Sequence, residues 1–468
     1  MQAGDPEQGR ALVWSRCSEP ARIVVEWDTT ERFANPRRVA GEVATPARDQ
    51  CGTVELTGLP DAQTIVYRVR FEREAARGAS SWATGRFRTP RTDKLRVAWT
   101  GDTCGQGFGR NPELGGLRGY AAIREARPDV FIHSGDMIYA DNPIEAEKPL
   151  PNGTVWKNIT NERVGRVAQE LDDFRARFAY NYEDEHVRAL AAEVAMIAQW
   201  DDHEVHNNWY PGQQLADDRY TRERDASKLA AMARQAMFEW VPFRVGLGRG
   251  SGPEPLHRVL HHGPLLDVFV LDCRAFRSPN GANTNNDTML GGSQVAWLIE
   301  ALVASKARWK VIACDQPISL VIDDGPNHEG FANGDPGAPS GRERELAQLL
   351  ATMKSSGVKN TVWITADVHY TAAHQFDPKR AAGVDFEPFW ELIAGPIHAG
   401  NFGPNELDAT LGPAVKFQWG TPPEGTEMLS PLDGKQSFGT LDLTPDALVV
   451  GFHDTAGNEL HKIEITPS

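Results

Sequence analysis

Residues 195–209 read Ala-Met-Ile-Ala-Gln-Trp-Asp-Asp-His-Glu-Val-His-Asn-Asn-Trp, an apolar run ending abruptly in Asp201, Asp202, His203, Glu204 and His206 between Trp200 and Trp209. Adjacent carboxylates repel, and burying them without a cation raises their pKa values or unfolds the loop. A bound metal resolves that conflict; so does a solvated acidic turn, and this stretch alone leaves both open. Three further apolar runs end in the same way. Residues 95–100 lead into Gly101-Asp102-Thr103-Cys104-Gly105, residues 130–134 into Gly135-Asp136-Met137-Ile138-Tyr139-Ala140-Asp141, and residues 361–365 into Ala366-Asp367-Val368-His369-Tyr370. Together they offer carboxylates, a thiol, a phenol and imidazoles, all donors suited to a cation. Glycine ahead of Asp102 and Asp136 is expected to let the backbone turn sharply, aiming each carboxylate over a sheet edge. Singly, a Gly-Asp is a turn, a Tyr is core and a His is a satisfied hydrogen-bonder; four such endings in this order read as a metal site.

For four strand ends to meet, the strands must share an α/β sheet whose carboxyl edges gather ligands. From residue 95 onward, apolar runs at 95–100, 130–134, 194–199, 266–271, 310–314 and 361–365 alternate with helical patterns at 119–127, 161–190, 219–240, 295–305 and 342–356. Ser293 is placed to cap the fourth helix, whose apolar stripe is Val295, Leu298, Ile299 and Leu302. Loops at 279–292 and 325–341 are long enough to build sites or lids. After Phe389 the pattern is β-rich again, at 391–394, 437–443, 447–452 and 459–465. Ahead of Thr89-Pro-Arg-Thr-Asp, alternating runs at 11–15, 21–27, 37–43, 52–56 and 65–71 predict a small all-β sandwich of immunoglobulin or fibronectin type III kind. The expected division is therefore a β-sandwich over 1–90 and an α/β domain over 94–468.

The 468 residues are 40% hydrophobic and 24% charged, enough for a sizeable core in more than one domain. A formal net charge of -15 with no basic run argues against a nucleic-acid partner. No run approaches the length of a membrane-spanning helix. The early entry into a strand-like run predicts a secreted or periplasmic mature form whose export signal has been removed. Cys17 and Cys51 stand at strand ends where a disulfide is possible, while Cys273 and Cys314 end two apolar strands as small buried thiols.

Gly-Asp, then Gly-Asp-x-x-Tyr, then Asp202-His203-Glu204, then a closing x-His pair resembles the calcineurin-like metallophosphoesterases, and the wording is closer still to the PhoD-type alkaline phosphatases and phosphodiesterases. Supporting phrases are Leu-Asp-Cys-Arg-Ala-Phe-Arg at 271–277, the opening Ala-Gly-Asp-Pro and the tail at 437–465. The resemblance implies a metallophosphoesterase-like αββα sandwich and hydrolysis of small-molecule or lipid phosphate esters. It also places Asp136 as a bridge between two metals, with Asp102, Cys104, Tyr139 and His369 completing one site and Asp202 and Asp367 the other. Cys104 stands where the wider superfamily has His, Asp202 where it has Asn, and Asp367 where the closing motif has its first His. The first donor set then suits ferric iron and the second calcium, with zinc, manganese or magnesium as alternatives in either. His203 is implied to act on the leaving group, Glu204 to orient it and Asn207 to contact metal or phosphate. Arg274 can fork onto phosphate or serve as a structural ion-pair partner, and His398 is a further substrate-binding candidate. Competing readings are phospholipase D-like or phosphotriesterase activity on the same site, a surface binding protein with a structural metal site, and an oxygen-activating iron protein.

Overall fold

The computed structural model describes residues 1–73, 78–244, 255–421, 428–432 and 434–468. Two large sheets face one another. The first holds nine strands, in the order Glu459–Ile465, Leu448–Asp454, Ser437–Leu443, Leu95–Thr100, Val130–Ser134, Ala195–Gln199, Gln2–Glu7, Arg10–Arg16 and Cys51–Thr57. The second holds seven: Arg258–His262, Leu266–Val270, Trp309–Ala313, Thr361–Thr365, Phe389–Ile393, Thr371–Phe376 and Pro413–Trp419. Each is parallel at its centre and antiparallel at its flanks.

Alternation along each strand builds three apolar layers. Val97, Trp99, Val130, Ile132, Ile197, Val268, Val270, Val311, Val362 and Ile364 meet between the sheets. The intervening Ala98, Phe131, Met196 and Ala198 face outward onto the helices Arg118–Glu125, Leu171–Tyr182, Glu185–Glu193 and Ala226–Trp240. On the other side Phe269, Ile312 and Trp363 pack under the helices Gly291–Ala304 and Arg342–Ser355. The result is the expected αββα order. Burial on both faces is why these strands read as continuous apolar runs.

The strand ends that carry the candidate ligands do not share one sheet. Those after Leu95–Thr100, Val130–Ser134 and Ala195–Gln199 lie in the nine-stranded sheet, whereas Asp367 and His369 follow Thr361–Thr365 in the seven-stranded one. Four aligned endings look alike in sequence whether one sheet or two facing sheets supply them.

Other expectations are corrected by contacts distant in the chain. The predicted helix over 161–190 is two helices, Leu171–Tyr182 and Glu185–Glu193, because Asp184 accepts from the backbone N–H of His186 and Val187 and starts a new one. Asn161 turns the chain ahead of them by accepting from the N–H of Arg163 and Val164. The predicted helix at 219–240 begins only at Ala226. Ser293 is not a cap: Gly291–Ala304 starts two residues earlier, and Glu345 of the neighbouring helix accepts from the N–H of Met289, Leu290 and Gly291 at 3.1, 2.7 and 3.0 Å. Cys17 and Cys51 carry free thiols, directed at the carbonyls of Glu19 and Asp49.

A four-stranded sheet, Arg37–Ala44, Ala21–Asp28, Thr64–Glu72 and Ala83–Arg88, covers the end of the nine-stranded sheet, with Ile23, Val25, Trp27, Tyr67 and Phe87 packed against Ala3, Val13 and Leu56. Its partner layer is thus an extension of the large sheet. Gln2–Glu7 makes the join, pairing in parallel with Ala195–Gln199 at Gly4↔Met196. Its sequence, Gln-Ala-Gly-Asp-Pro-Glu, carries no strand pattern, yet all six residues are buried. What holds it is the Asp5 carboxylate, which accepts from Arg258 Nη2 at 2.7 Å and Nε at 3.0 Å and from the N–H of Arg244 at 2.8 Å. Arg258 lies on the edge strand of the seven-stranded sheet, so this ion pair, 7% and 1% exposed at its two side chains, ties the sheets together. Removing one partner leaves a buried charge uncompensated. Asp5→Ala is expected to lower unfolding free energy by about 3–5 kcal/mol, measured by denaturant titration, with specific activity of the folded fraction unchanged.

Candidate active site

The strand ends deliver buried carboxylates into one space. Ligand atoms of Asp102, Asp136 and His369 lie within 4.8 Å of one another, as do those of Asp136, Asp202 and His203, and those of Asp201, Asp202 and Asp367. Asp136 belongs to the first two groups and Asp202 to the last two, so the three are continuous. Tyr139 reaches the first group with its hydroxyl 2.9 Å from His369 Nε2 and 3.4 Å from Asp102 Oδ1. The His369 ring is held from behind, with Nδ1 on the carbonyl of Gly400 and its face stacked on Phe402 at 4.5 Å.

The backbone is bent hard to achieve this. Asp102, Asp136, Asp367 and His369 have φ of 67°, 51°, 67° and 57°, a region that non-glycine residues rarely occupy. The two glycines serve different ends. Gly135 has φ +85°, and a Cβ there would lie 2.5 Å from Asp201 Cβ. Gly101 is not in the left-handed region; a Cβ on it would lie 2.8 Å from Ala366 Cβ, so its absence lets the two sheets' strand ends close on each other.

Glu204 braces the loops. Fully buried, it accepts from the N–H of Met137 at 2.6 Å, Asp201 at 2.7 Å and Asp136 at 3.1 Å. Trp200 and Trp209 pack edge to face at 5.5 Å beneath the same turn. His203 stacks on Tyr139 at 4.2 Å and places Nδ1 2.7 Å from Asp141 Oδ1.

Electrostatics set the chemistry. Burial pushes the carboxyls of Asp136 and Asp367 well above the usual carboxylate range, and the neighbouring carboxylates push the same way. Burial raises Asp201 to about 6, partly offset by Arg274. Asp202 is held down to about 2: burial opposes its ionisation but His203 and Arg274 outweigh it. Burial works against protonation of His203, yet Asp141 and Asp202 lift it to about 10. Oδ2 of both Asp102 and Asp201 is buried without a hydrogen-bond partner. Carboxylates this close, with orphaned oxygens, fit a group of cations and little else.

Comparison with known proteins accords with this geometry. The family model described as PhoD-like phosphatase matches residues 97–429, and that described as PhoD-like phosphatase, N-terminal domain, matches residues 1–91. The chain belongs to the PhoD-like phosphatase family. It is 27% identical over 423 residues to alkaline phosphatase D of Bacillus subtilis (strain 168), spanning 84% of this chain and 67% of that protein. A solved structure of PhoD superposes with a TM-score of 0.75 at 20% identity, over 99% of this chain and 88% of that one. A purple acid phosphatase from yellow lupin (Lupinus luteus) seeds shares the fold, with a TM-score of 0.57 at 12% identity over 99% and 74%. This PhoD-like chain is a phosphoric ester hydrolase with metal-binding clusters, as its sequence motifs imply.

Not every candidate residue of this PhoD-like phosphatase stands where the resemblance implies. Cys104 joins none of the ligand groups among the described residues; with φ 64° it is buried in the apolar cluster that includes Leu117 and Tyr120. Arg274 is not open to phosphate: its side chain is 0% exposed, with Nε donating to Asp201 Oδ1 at 2.6 Å and Nη1 paired with Glu329. Nη2 stands 3.8 Å from Asp202 and 4.0 Å from Asp367, so the guanidinium supports the acid cluster from beneath. The His398 ring turns to the carbonyl of Gly109, at 3.3 Å, and to the edge of Trp156. Asn207 is exposed, and its backbone N–H donates to Asp141 Oδ2 at 3.0 Å.

Three residues escaped sequence reading. Asp141 closes the Gly-Asp-Met-Ile-Tyr-Ala-Asp phrase, and that position was its signal. Asn208 donates its N–H to Asp202 Oδ2 at 2.6 Å, and Glu329 reaches Arg274 from the hairpin Asp323–Asp324/Asn327–His328. Asn208 sat inside the 195–209 stretch with no role of its own, and Glu329 had no pattern around it. Because Glu204 pins the amides on either side of Asp136, Glu204→Ala is expected to weaken metal retention by about 10–100-fold. Metal analysis after dialysis checks this, with activity recovering in excess metal.

Proposed function

We propose that this chain hydrolyses phosphate monoesters and diesters at a centre where Asp136 bridges iron and calcium. The observation that carries the reading is that Asp136 belongs to two ligand groups at once, one with Asp102 and His369 and one with Asp202 and His203. Asp102, Asp136, Tyr139 and His369 offer carboxylate, phenol and imidazole, a set suited to ferric iron. On the other side Asp202, which also groups with Asp201 and Asp367, offers with Asp136 a set rich in carboxylate oxygen, which suits calcium while His203 is engaged by Asp141. Without Cys104, four carboxylates and a phenolate carry about five negative charges, which one ferric and one calcium ion balance. Bound there, the ions supply Lewis acidity toward the phosphoryl oxygens and the attacking water. Calcium in this role fits an enzyme working outside the cytoplasm.

The protein's own groups do the rest. His203 has Nδ1 engaged by Asp141, which leaves Nε2 to hold a proton toward the ester oxygen that departs. The stack on Tyr139 fixes the ring plane, so the proton is offered from one direction. Asp202, kept ionised beside it, favours the charged imidazolium. Glu204 and Arg274 hold the strand ends in register and keep water away from the back of the cluster. Asn207, exposed and held at its N–H by Asp141, is the residue we assign to meet an ester oxygen with its amide.

Purified protein is expected to contain iron and calcium and to be coloured by phenolate-to-iron charge transfer. Asp136→Ala should lose both the colour and turnover of nitrophenyl phosphate and bis-nitrophenyl phosphate, with an unchanged circular dichroism spectrum. Colourless, zinc-only protein, or a phospholipid turned over in preference to both nitrophenyl esters, would sink this reading. For the leaving-group role, His203→Ala should slow esters of poor leaving groups by about 10²–10⁴-fold and nitrophenyl esters far less. An equal loss on both classes would place His203 elsewhere in the chemistry.

A further inference from the structure

A second group of ligand atoms lies behind the acid cluster. Cys273 follows the strand Leu266–Val270 and Cys314 follows its parallel neighbour Trp309–Ala313, and the two sulfurs stand 3.4 Å apart. With a carboxylate oxygen of Asp315 they form a set within 4.8 Å of one another, and all three residues are 0% exposed.

The set has the mark of a site rather than of core packing. Neither oxygen of Asp315 meets a hydrogen-bond donor group, its carboxyl lying instead against that of Asp201, and both amide atoms of Gln316, the next residue, are buried without a hydrogen-bond partner. A fully buried carboxyl with neither oxygen satisfied costs several kcal/mol unless a proton or a cation answers it. The guanidinium that acts on Asp315, that of Arg274, is itself held by Asp201 and Glu329. The thiols are protonated when no cation is present: burial raises both, and Cys314 donates to the carbonyl of Gln316 at 3.2 Å.

We propose that Cys273, Cys314 and Asp315 form a separate, buried cation site for a borderline-soft divalent ion of the zinc type. Two thiolates and a carboxylate form a donor set that such an ion prefers over calcium or magnesium. Binding releases the two thiol protons, and the ion takes the place of the missing donors at Asp315. The site is structural. Asp315 interacts with Asp201, which also belongs to the group with Asp202 and Asp367, so an ion here fixes the carboxylate wall of the catalytic cluster from behind.

The test uses full-length protein loaded with zinc. Zinc-edge X-ray absorption is expected to show two sulfur neighbours at about 2.3 Å. Cys273→Ser/Cys314→Ser should lose about one zinc equivalent per chain, while Asp136→Ala keeps it, which separates this site from the catalytic one. Should the double variant fold poorly, labelling of the unmutated protein decides: zinc should slow the reaction of two thiols with a thiol reagent in mild denaturant, and a chelator should restore it. A zinc shell of nitrogen and oxygen only, equal zinc content in the double variant, or thiol reactivity indifferent to zinc each overturns the proposal.

Discussion

The structure depends on holding like charges together. Asp102, Asp136, Asp201, Asp202 and Asp367 are drawn into contact at the ends of strands from two sheets, with Arg274 as their buried counter-charge. Left to themselves they would take up protons or separate. That they do not separate rests on structure around them: Glu204 tethers the amides of Asp136, Met137 and Asp201, and Arg274 braces Asp201 against Glu329. The left-handed backbone at Asp102, Asp136, Asp367 and His369 is part of the same cost. Strain of this kind persists where the surroundings over-determine it, and here a ligand of opposite charge is what the arrangement is shaped to receive.

The apolar layers supply the stiffness. Trp99, Val130, Ile132 and Ile197 interlock with Val268, Val311 and Ile364 across the sheets, so the carboxyl edges of both cannot drift apart without opening the core. Gly101 against Ala366 then brings the edges within ligand distance. The N-terminal strands belong to this frame: Gln2–Glu7 extends the large sheet, and Asp5 clamps it to Arg258 on the other. A segment at one end of the sequence thereby joins both sheets without touching the site.

Polarity continues behind the catalytic acids. Asp201 looks toward Asp202 and Asp367 on one side and toward Asp315, Cys273 and Cys314 on the other. Protein interiors rarely leave such groups unmatched. A hard, oxygen-rich front and a thiol-bearing back divide two kinds of cation by donor chemistry alone, with Asp201 and Arg274 between them.

Periodicity and composition sufficed for the layered α/β architecture, because strands buried on both faces must be apolar throughout and helices must carry a stripe. The motifs sufficed for the family and for most of the acid cluster, because a ligand at a strand end leaves a local signature: Gly-Asp, Gly-Asp-x-x-Tyr, Asp-His-Glu, Asp-x-His. Tertiary structure decided whatever depends on a partner far along the chain. Gln2–Glu7 carries no strand pattern, and it is held as a strand where Asp5 finds Arg258. Ser293 yields the helix start to Glu345 from a neighbouring helix. Cys104 and Arg274 look like a ligand and a phosphate clamp, and burial turns the first into core and the second into a brace. Glu329 and Asp315 carry no motif, and Asn208 carries no assigned role within its own, since the reason for their polarity lies in what the fold brings beside them. For the stretch at 195–209 the division is the same: its residue types left a cation and a solvated turn both open, and only the fold buried Asp201 and Asp202 beside Asp367 of the second sheet.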